Sequence, residues 1–391
     1  MTALRTTLTA TLTLAALAAP CLPAHAAPSD PWVRAWGINN LGQLGNSSIV
    51  NQQTPADVQG VARDSVREMS GGGDADKNSF AIALLKDGTV KSWGANLTGQ
   101  LGNGTVVGQS FPAAVAGLSG VSEVSAGSNH VLAVRGGRVL SWGSNTKGQL
   151  GNGLTAADPA GVQKTPVDVQ SLNKVKDVGA GCDFSVAMRQ DGSVWAWGEG
   201  VNGRLGNGEN AARNTPQKVK DLEDVVSISV GCAHVLALTA DGTVKSWGKN
   251  TEGELGNDSV ADSNVPVDVH HLEGVAKISA NAYTNFAILD DGSVSAWGKN
   301  DVGQLGDDTT TTRTTPVPIA PLQGATEVVS GFDYTVASLD DGSVVSFGAN
   351  TNAQLGDGTV TATRKPVTVL PAGSGIAHVA AATTGKSTFA Y

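Results

Sequence analysis

The sequence predicts an all-β protein, a seven-bladed β-propeller built from four-stranded antiparallel blades, and three observations support this fold. An aromatic residue followed by glycine recurs seven times at intervals of 49 to 57 residues, and a Leu-Gly pair begins eight residues after each aromatic. Glycine supplies 50 of the 391 residues without a collagen-like period, which indicates many tight turns. A regular repeat of this length is typical of one continuous propeller rather than of two separate domains. The seven aromatic positions are Trp36, Trp93, Trp142, Trp197, Trp247, Trp297 and Phe347.

One repeat unit shows how the strands are expected to lie. Apolar residues alternate with small or polar residues, which is the period of a half-buried strand. The Asp291-Gly292 pair predicts a two-residue type I′ hairpin turn. No segment has sustained helical periodicity. The predicted strands of this unit are 244–247, 266–269, 275–279, 284–288 and, after the turn, 294–297.

The two ends of the chain are complementary parts of one unit. Residues 32–36 match the strand that follows the hairpin turn, and residues 387–391 match the strand that precedes it. We expect these two strands to pair in one blade and so to close the ring without leaving an exposed sheet edge.

Residues 1–26 have the pattern of a secretory signal peptide. Arg5 is followed by a short apolar run from Leu12 to Ala19, and Ala24-His25-Ala26 forms a small-x-small cleavage site. The apolar run is too short to span a bilayer. We therefore expect residues 27–391 to form a single exported propeller domain with no membrane span.

Composition excludes some partners and leaves one bond undecided. The net charge is -9 and no cluster of Lys or Arg is present, so nucleic acid is not an expected partner, and we expect a monomer. Cys182 and Cys232 occupy the same position in adjacent repeats. They are either a disulfide, which export permits, or two small buried thiols.

The repeat resembles the regulator of chromosome condensation repeat family, and the setting suggests a secreted bacterial member. The resemblance rests on Trp-Gly-x-Asn-x-x-Gly-Gln-Leu-Gly-Asn-Gly at 93–104 and 142–153, and on Ala-Gly-x-x-His at 126–130. It covers nearly all of residues 32–391, and it implies a seven-bladed propeller.

The resemblance implies several functions. The founding member of the family is an exchange factor for a small GTPase, and a plant member senses ultraviolet light through Gly-Trp-Arg-His-Thr motifs, which this sequence lacks. Secreted propellers that inhibit β-lactamases are similar in architecture only. The alternatives are therefore an inhibitor of an extracellular enzyme, an exchange-factor-like regulator, and an extracellular hydrolase or lyase with a cluster of acidic and basic groups near the axis.

No residue pattern indicates catalysis, a metal or a cofactor. His130 and His234 share one repeat position with aromatic and hydroxyl residues, so we interpret them as packing residues. Loop acids such as Asp258 and Asp307 lack the spacing of a calcium loop and are expected to bond turn backbone. The predicted protein is not an enzyme.

Departures from the repeat predict a recognition surface. Two insertions, around 71–77 and 154–164, should emerge on the face that carries the seven Leu-Gly loops. Loops on a rigid scaffold commonly bind partners. We therefore expect a non-enzymatic scaffold that binds an unidentified protein with this face. The candidate recognition residues are Asp74, Asp76, Lys77, Asp158 and Lys164.

Overall fold

The computed structural model describes residues 32–75, 77–155 and 161–391. The expected signal segment, residues 1–26, lies outside this part of the chain, as do Asp76 and Asp158. Among the described residues, no helix is long and apolar enough to cross a membrane.

The described chain forms 28 strands, which group into seven four-stranded antiparallel blades. We number the blades from the one that contains both the first and the last described strand, and we give the strands of each blade from innermost to outermost. Blade I is β27 (Val379–Gly385), β28 (Ser387–Ala390), β1 (Trp32–Gly37) and β2 (Gln52–Ala62); blade II is β3 (Val66–Ala75), β4 (Phe80–Leu85), β5 (Val90–Gly94) and β6 (Gln109–Ala114). Blade III is β7 (Val121–Ala126), β8 (His130–Arg135), β9 (Arg138–Gly143) and β10 (Gln163–Asp168); blade IV is β11 (Val175–Ala180), β12 (Phe184–Arg189), β13 (Val194–Gly198) and β14 (Arg213–Lys218). Blade V is β15 (Val225–Val230), β16 (His234–Thr239), β17 (Val244–Gly248) and β18 (Ser263–Asp268); blade VI is β19 (Val275–Ala280), β20 (Thr284–Leu289), β21 (Val294–Gly298) and β22 (Arg313–Pro318); blade VII is β23 (Ala325–Ser330), β24 (Tyr334–Leu339), β25 (Val344–Gly348) and β26 (Thr363–Leu370). Three single-turn 3-10 helices lie at Arg63–Ser65, Val201–Gly203 and Ala320–Leu322.

The first and last strands of the described chain pair in blade I, as the sequence predicted. β1 pairs with β28 in antiparallel register, with Arg34 opposite Ala390 and Gly37 opposite Ser387. Each innermost strand contacts the innermost strand of the next blade, and β27 contacts β3 to complete the circle. The innermost strands therefore surround a central channel.

The repeated tryptophans join neighbouring blades. Each indole is fully buried and donates its N–H to a backbone carbonyl in the Leu-Gly loop of the preceding blade, at 2.8 to 3.2 Å. The glycine of that loop lies against the same indole. A Cβ at Gly256, for example, would approach Trp297 Nε1 to 2.8 Å. Each blade thus fixes the loop of its neighbour, as expected of residues that pack between blades.

One turn type was predicted incorrectly. Gly292 has a positive φ of 77°, but Asp291 is not among the residues with positive φ, whereas a type I′ turn needs both. The N–H of Gly292 bonds the carbonyl of Leu289, and Asp291 Oδ1 accepts from Ser293 N. This is a type I turn followed by a left-handed glycine, because the aspartate side chain stabilises the right-handed conformation.

The outermost strand also begins earlier than predicted. β18 starts at Ser263 rather than Pro266, and the proline lies where the ladder register shifts between Ser263 and Val267. An outermost strand tolerates this because its outer edge has no ladder in which the missing N–H would be needed.

Candidate functional site

The two faces of the propeller differ in their connections. We call one side of the propeller the loop face. In each blade, with strands counted from the innermost, this side bears the loop between the third and fourth strands and the short connection between the first and second strands. The opposite side, the hairpin face, bears the Asp-Gly turns. Both insertions emerge on the loop face, because successive connections of an antiparallel meander alternate between faces.

The first insertion is a strand extension rather than the loop expected from the sequence. It lengthens β3 to ten residues, and the added part pairs in parallel with β27, so that Asp74 lies opposite Thr384. The Thr384 hydroxyl donates to the carbonyl of Gly73. The extra residues formed a strand because they could satisfy their backbone groups on the adjacent blade.

The two other described candidate recognition residues belong to different blades. Lys77 is exposed in the connection that follows β3. Lys164 is exposed on the outermost strand β10 rather than in a loop, and its carbonyl accepts the N–H of Gly104 from blade II. The described candidates therefore lie in two different blades, II and III.

Cys182 and Cys232 are joined in a disulfide, with their Cα atoms 4.7 Å apart. The bond links the first connections of blades IV and V on the loop face, and Cys182 N also donates to the carbonyl of Cys232 at 3.0 Å. Both cysteines are half-buried. The bond fixes two adjacent blades at the mouth of the channel.

The two repeat-position histidines are buried between blades. His130 Nε2 donates to Ser185 Oγ at 2.9 Å, because that hydroxyl itself donates to the carbonyl of Gln149. His234 Nε2 bonds Asn285 Oδ1 at 2.7 Å. Burial lowers the pKa of His130 to about 3 and that of His234 to about 4. Both rings are therefore neutral packing groups with one polar contact to the next blade.

The channel is lined by carboxylates that the sequence reading did not find. A cavity of about 390 Å³ is bounded by residues from six of the seven innermost strands. One repeat position supplies Glu68, Glu123, Asp177 and Glu327 to this lining. In the other three blades the equivalent residues are Ser227, Lys277 and His378, the last of which immediately precedes β27.

The carboxylates accept backbone N–H groups across the gaps between blades. Glu327 Oε2 accepts from Val379 N at 2.8 Å, and Glu68 Oε2 accepts from Val124 N at 3.3 Å. Apart from the β3–β27 pairing, the described innermost strands have no ladder on this edge, so side-chain oxygens replace it. Serine hydroxyls two residues further along these strands also accept backbone N–H groups of the next blade. Ser70 accepts from Ala126 N at 3.0 Å, Ser125 from Ala180 N at 3.0 Å, and Ser229 from Ala280 N at 2.8 Å.

Three of these carboxylates lie on adjacent blades and hold protons more tightly than usual. Burial, and then the negative charge of Glu123, raise the pKa of Glu68 well above its ordinary value. Burial, and then the charge of Asp177, raise the pKa of Glu123 from 4.5 to about 7. Burial raises the pKa of Asp177 to about 6. Glu68 and Glu123 are hydrogen-bonded to each other, which requires a shared proton.

Half-buried aromatic and lysine side chains gather on the loop face of blades V to VII. We call Lys249, Tyr283, Lys299 and Phe332 the Tyr283 cluster. Lys249 Nζ lies 4.5 Å from the centroid of the Tyr283 ring, and Lys299 Nζ lies 5.8 Å from both the Tyr283 and Phe332 centroids. The two rings meet edge to face at 6.0 Å. The contacts place two ammonium groups around one half-buried aromatic ring.

Beside this cluster, two adjacent blades carry ion pairs in which the acidic and basic residues have exchanged positions. At the position where five other blades have glutamine, blade IV has Arg204 and blade V has Glu254. Arg204 pairs with Glu199 at 3.0 Å, and Glu254 lies 3.6 Å from Lys249. Glu254 is fully buried, its Oε1 accepts no hydrogen bond within the described residues, and burial raises its pKa.

A different sector of the loop face is apolar and uncharged. Residues 38–56 of blade I and 92–122, which span blade II and the start of β7, contain no Asp, Glu, Lys or Arg. Ser47 N donates to the carbonyl of Ser110 at 2.9 Å, which joins the two loops. We call their exposed apolar residues the apolar sector. Its members, with exposed fractions, are Ile49 (66%), Val50 (64%), Leu97 (72%), Val106 (42%), Val107 (70%) and Phe111 (52%).

Comparison with known proteins agrees with the repeat geometry. Residues 156–391 match the profile of the RCC1-like domain, and residues 33–75, 87–134 and 121–149 match regulator of chromosome condensation (RCC1) repeats. The chain belongs to the RCC1 repeat family.

Curated relatives of this RCC1-family chain are larger proteins. Human E3 ubiquitin-protein ligase HERC2 is 31% identical over 186 residues, which is 45% of this chain but 4% of HERC2. The Arabidopsis thaliana ultraviolet-B receptor UVR8 is 28% identical over 181 residues, which is 46% of this chain and 28% of UVR8. Among solved structures, Prp20p from Saccharomyces cerevisiae superposes with a TM-score of 0.80 at 22% identity, over 93% of this chain and 92% of Prp20p. That likeness shows the fold.

The sequence alone did not predict three features of this RCC1-family propeller, and these features differ in how easily the sequence could have revealed them. Arg204 and Glu254 were detectable, because each replaces the glutamine of a repeated motif. The channel carboxylates fall at one register position, but only the structure shows that this position faces the axis. The Tyr283 cluster combines positions from three blades, and no single repeat unit reveals it.

Proposed function

We propose that this protein is exported and binds another protein through its loop face, without catalysing a reaction. The apolar sector is the observation that supports this most strongly. Several exposed aliphatic side chains on neighbouring uncharged loops are unusual on a soluble protein surface and mark an interaction site. The loops are fixed by buried indoles of the following blades, so the surface is largely preformed.

Two further observations support the proposal. Export is supported by the signal-peptide pattern of residues 1–26 and by the disulfide, which is typical of oxidising compartments. Binding is supported by relatives, since the Prp20p structure is described with its binding to Gsp1p and histones. Inhibition of an extracellular enzyme is one form that such binding could take. The exchange-factor alternative rests only on family membership, and an export signal argues against it.

The hydrolase alternative has one observation in its favour, the convergence of Glu68, Glu123 and Asp177 in the channel. Glu68 and Asp177 already accept N–H groups from the next innermost strand, and Glu123 is hydrogen-bonded to Glu68. We therefore assign the carboxylates to joining the blades.

The experiment compares capture of secreted and envelope proteins by the wild-type chain and by the double variant Leu97→Ser/Val107→Ser. Both positions are exposed, so the fold should be unaffected and bound protein should fall at least tenfold. Val226→Ser is the matched control, because Val226 is 43% exposed near the hairpin face. Equal capture by the double variant and the wild type would contradict the proposal, as would loss of capture in the Val226 control.

A further inference from the structure

We propose that the Tyr283 cluster receives an acidic side chain of the protein partner, with its carboxylate seated between the ammonium groups of Lys249 and Lys299. This inference rests on the proposed binding function and specifies the chemistry of the partner. The occupant is an Asp- or Glu-bearing segment.

The geometry of the two lysines is the first argument. Their Nζ atoms converge on one half-buried ring, at 4.5 and 5.8 Å from its centroid, and the side chains are 25% and 22% exposed. Packing on aromatic rings holds both ammonium groups in place, which lowers the entropy lost when an anion binds. Aromatic residues with flanking cations are also common at the energetic centres of interfaces.

The internal charges leave Lys249 incompletely satisfied. The Glu254 oxygen is 3.6 Å away, beyond hydrogen-bond distance, and it lies beneath the surface with no other donor among the described residues. Lys299 pairs at 3.1 Å with Asp301, whose Oδ1 also accepts from the Gln304 amide, and the 57% exposure of Asp301 makes this a weak, solvent-screened ion pair. A second carboxylate from outside would therefore complete the coordination of both ammonium groups.

The overall charge indicates that this recognition is local. The protein carries a net charge of -9, so acidic segments gain nothing from general attraction. An acidic group that binds must do so through a specific pair of cations, which favours selectivity over affinity.

The natural variation between blades provides an unusual test. Blade VI has Lys299 with Gln304 at the two positions where blade V has Lys249 with Glu254. Because glutamine already occupies this position in five blades, Glu254→Gln should fold normally while removing the competing buried charge. It should strengthen binding of an acidic ligand, whereas a purely structural role for Glu254 would leave that binding unchanged.

The probe is a fluorescein-labelled hexaglutamate peptide, titrated with the full protein at low salt and followed by anisotropy. Lys249→Gln and Lys299→Gln should each weaken binding about fivefold, and Glu254→Gln should strengthen it about threefold, as expected for single partly exposed charge contacts. Lys86→Gln, which removes the same charge from an exposed turn on the hairpin face, should have no effect. Labelled hexaglutamine should not bind.

The inference would be overturned if Lys86→Gln weakened binding as much as Lys249→Gln, or if neither cluster variant changed it. Tighter binding of a single-stranded oligonucleotide through the same lysines would also overturn it, in favour of a phosphate ligand. The Leu97→Ser/Val107→Ser variant should still bind hexaglutamate, so a failure of the proposed function and a failure of this inference give different results.

Discussion

Glu123→Gln should stabilise the protein at alkaline pH and leave it nearly unchanged at acidic pH. In the folded protein the pKa of Glu123 is raised from 4.5 to about 7, mainly by burial and then by the charge of Asp177. The folded state therefore binds more protons than the unfolded state between these two pH values. Stability falls as pH rises through this window, and it is highest below it.

The magnitude follows from the size of the pKa change. A carboxyl whose pKa rises from 4.5 to about 7 opposes folding by about 3 kcal/mol once it is ionised in the native protein. Partial exposure and the proton shared with Glu68 reduce this, so we expect about 1 to 2 kcal/mol at pH 8.5. Glutamine has nearly the same shape as protonated glutamate, and its amide oxygen can accept the hydrogen bond that the Glu68 carboxylic acid donates.

Urea denaturation at pH 5, 6, 7 and 8.5, with the disulfide intact, measures the effect. The variant should gain stability relative to the wild type progressively above pH 6. Glu223→Gln is the control, because Glu223 is exposed near the hairpin face and should show no such trend. A variant that is destabilised equally at every pH, or a flat difference between variant and wild type, would refute the channel electrostatics described above.

Three further perturbations test the joints between blades. Deleting residues 388–391 removes most of β28, which pairs with both β1 and β27. Thermal unfolding followed by circular dichroism should therefore shift broadly to lower temperature. An unchanged melting curve would contradict ring closure by this strand. Gly256→Ala should lower the free energy of unfolding, measured by urea denaturation, by about 3 kcal/mol or more, because Gly256 has a φ of 63° and an added Cβ would press on the Trp297 indole. Gly104 has a φ of 80° but open space around it, so Gly104→Ala should lower that free energy by only about 1 kcal/mol. Replacing both Cys182 and Cys232 by serine should lower the free energy of unfolding by about 2 to 4 kcal/mol, and equal urea midpoints with and without reductant would refute this.

The blades were predictable because their signals are local and repeated. Strand alternation, the Leu-Gly loop and the aromatic residue lie within one unit, and the seven copies reinforce one another. The hairpin turn was mistaken because Asp-Gly fits both a type I′ turn and a type I turn with a following glycine. The Gly136-Gly137 variant does have two positive φ angles, of 58° and 74°, as a type I′ turn requires.

The candidate site was less predictable because it depends on contacts between units. The insertion at 71–77 has the composition of a loop, and only the edge of β27 beside it explains its strand pairing. Tyr283 and Phe332 occupy connections of different blades, and their contact follows from the arrangement of the ring rather than from spacing along the chain. The Glu254 substitution was the one local sign of this cluster.

Site-specific photo-crosslinking tests most directly the claim that the loop face binds a protein. Benzoylphenylalanine would replace Val107 in the apolar sector or, as the control, Val226 near the opposite face, and each protein would be irradiated with the secreted fraction of the producing cell. We predict one discrete covalent adduct from position 107, absent from position 226 and lost when unlabelled wild-type protein competes. Adducts of equal yield from both positions, or an adduct from position 226 alone, would contradict the account.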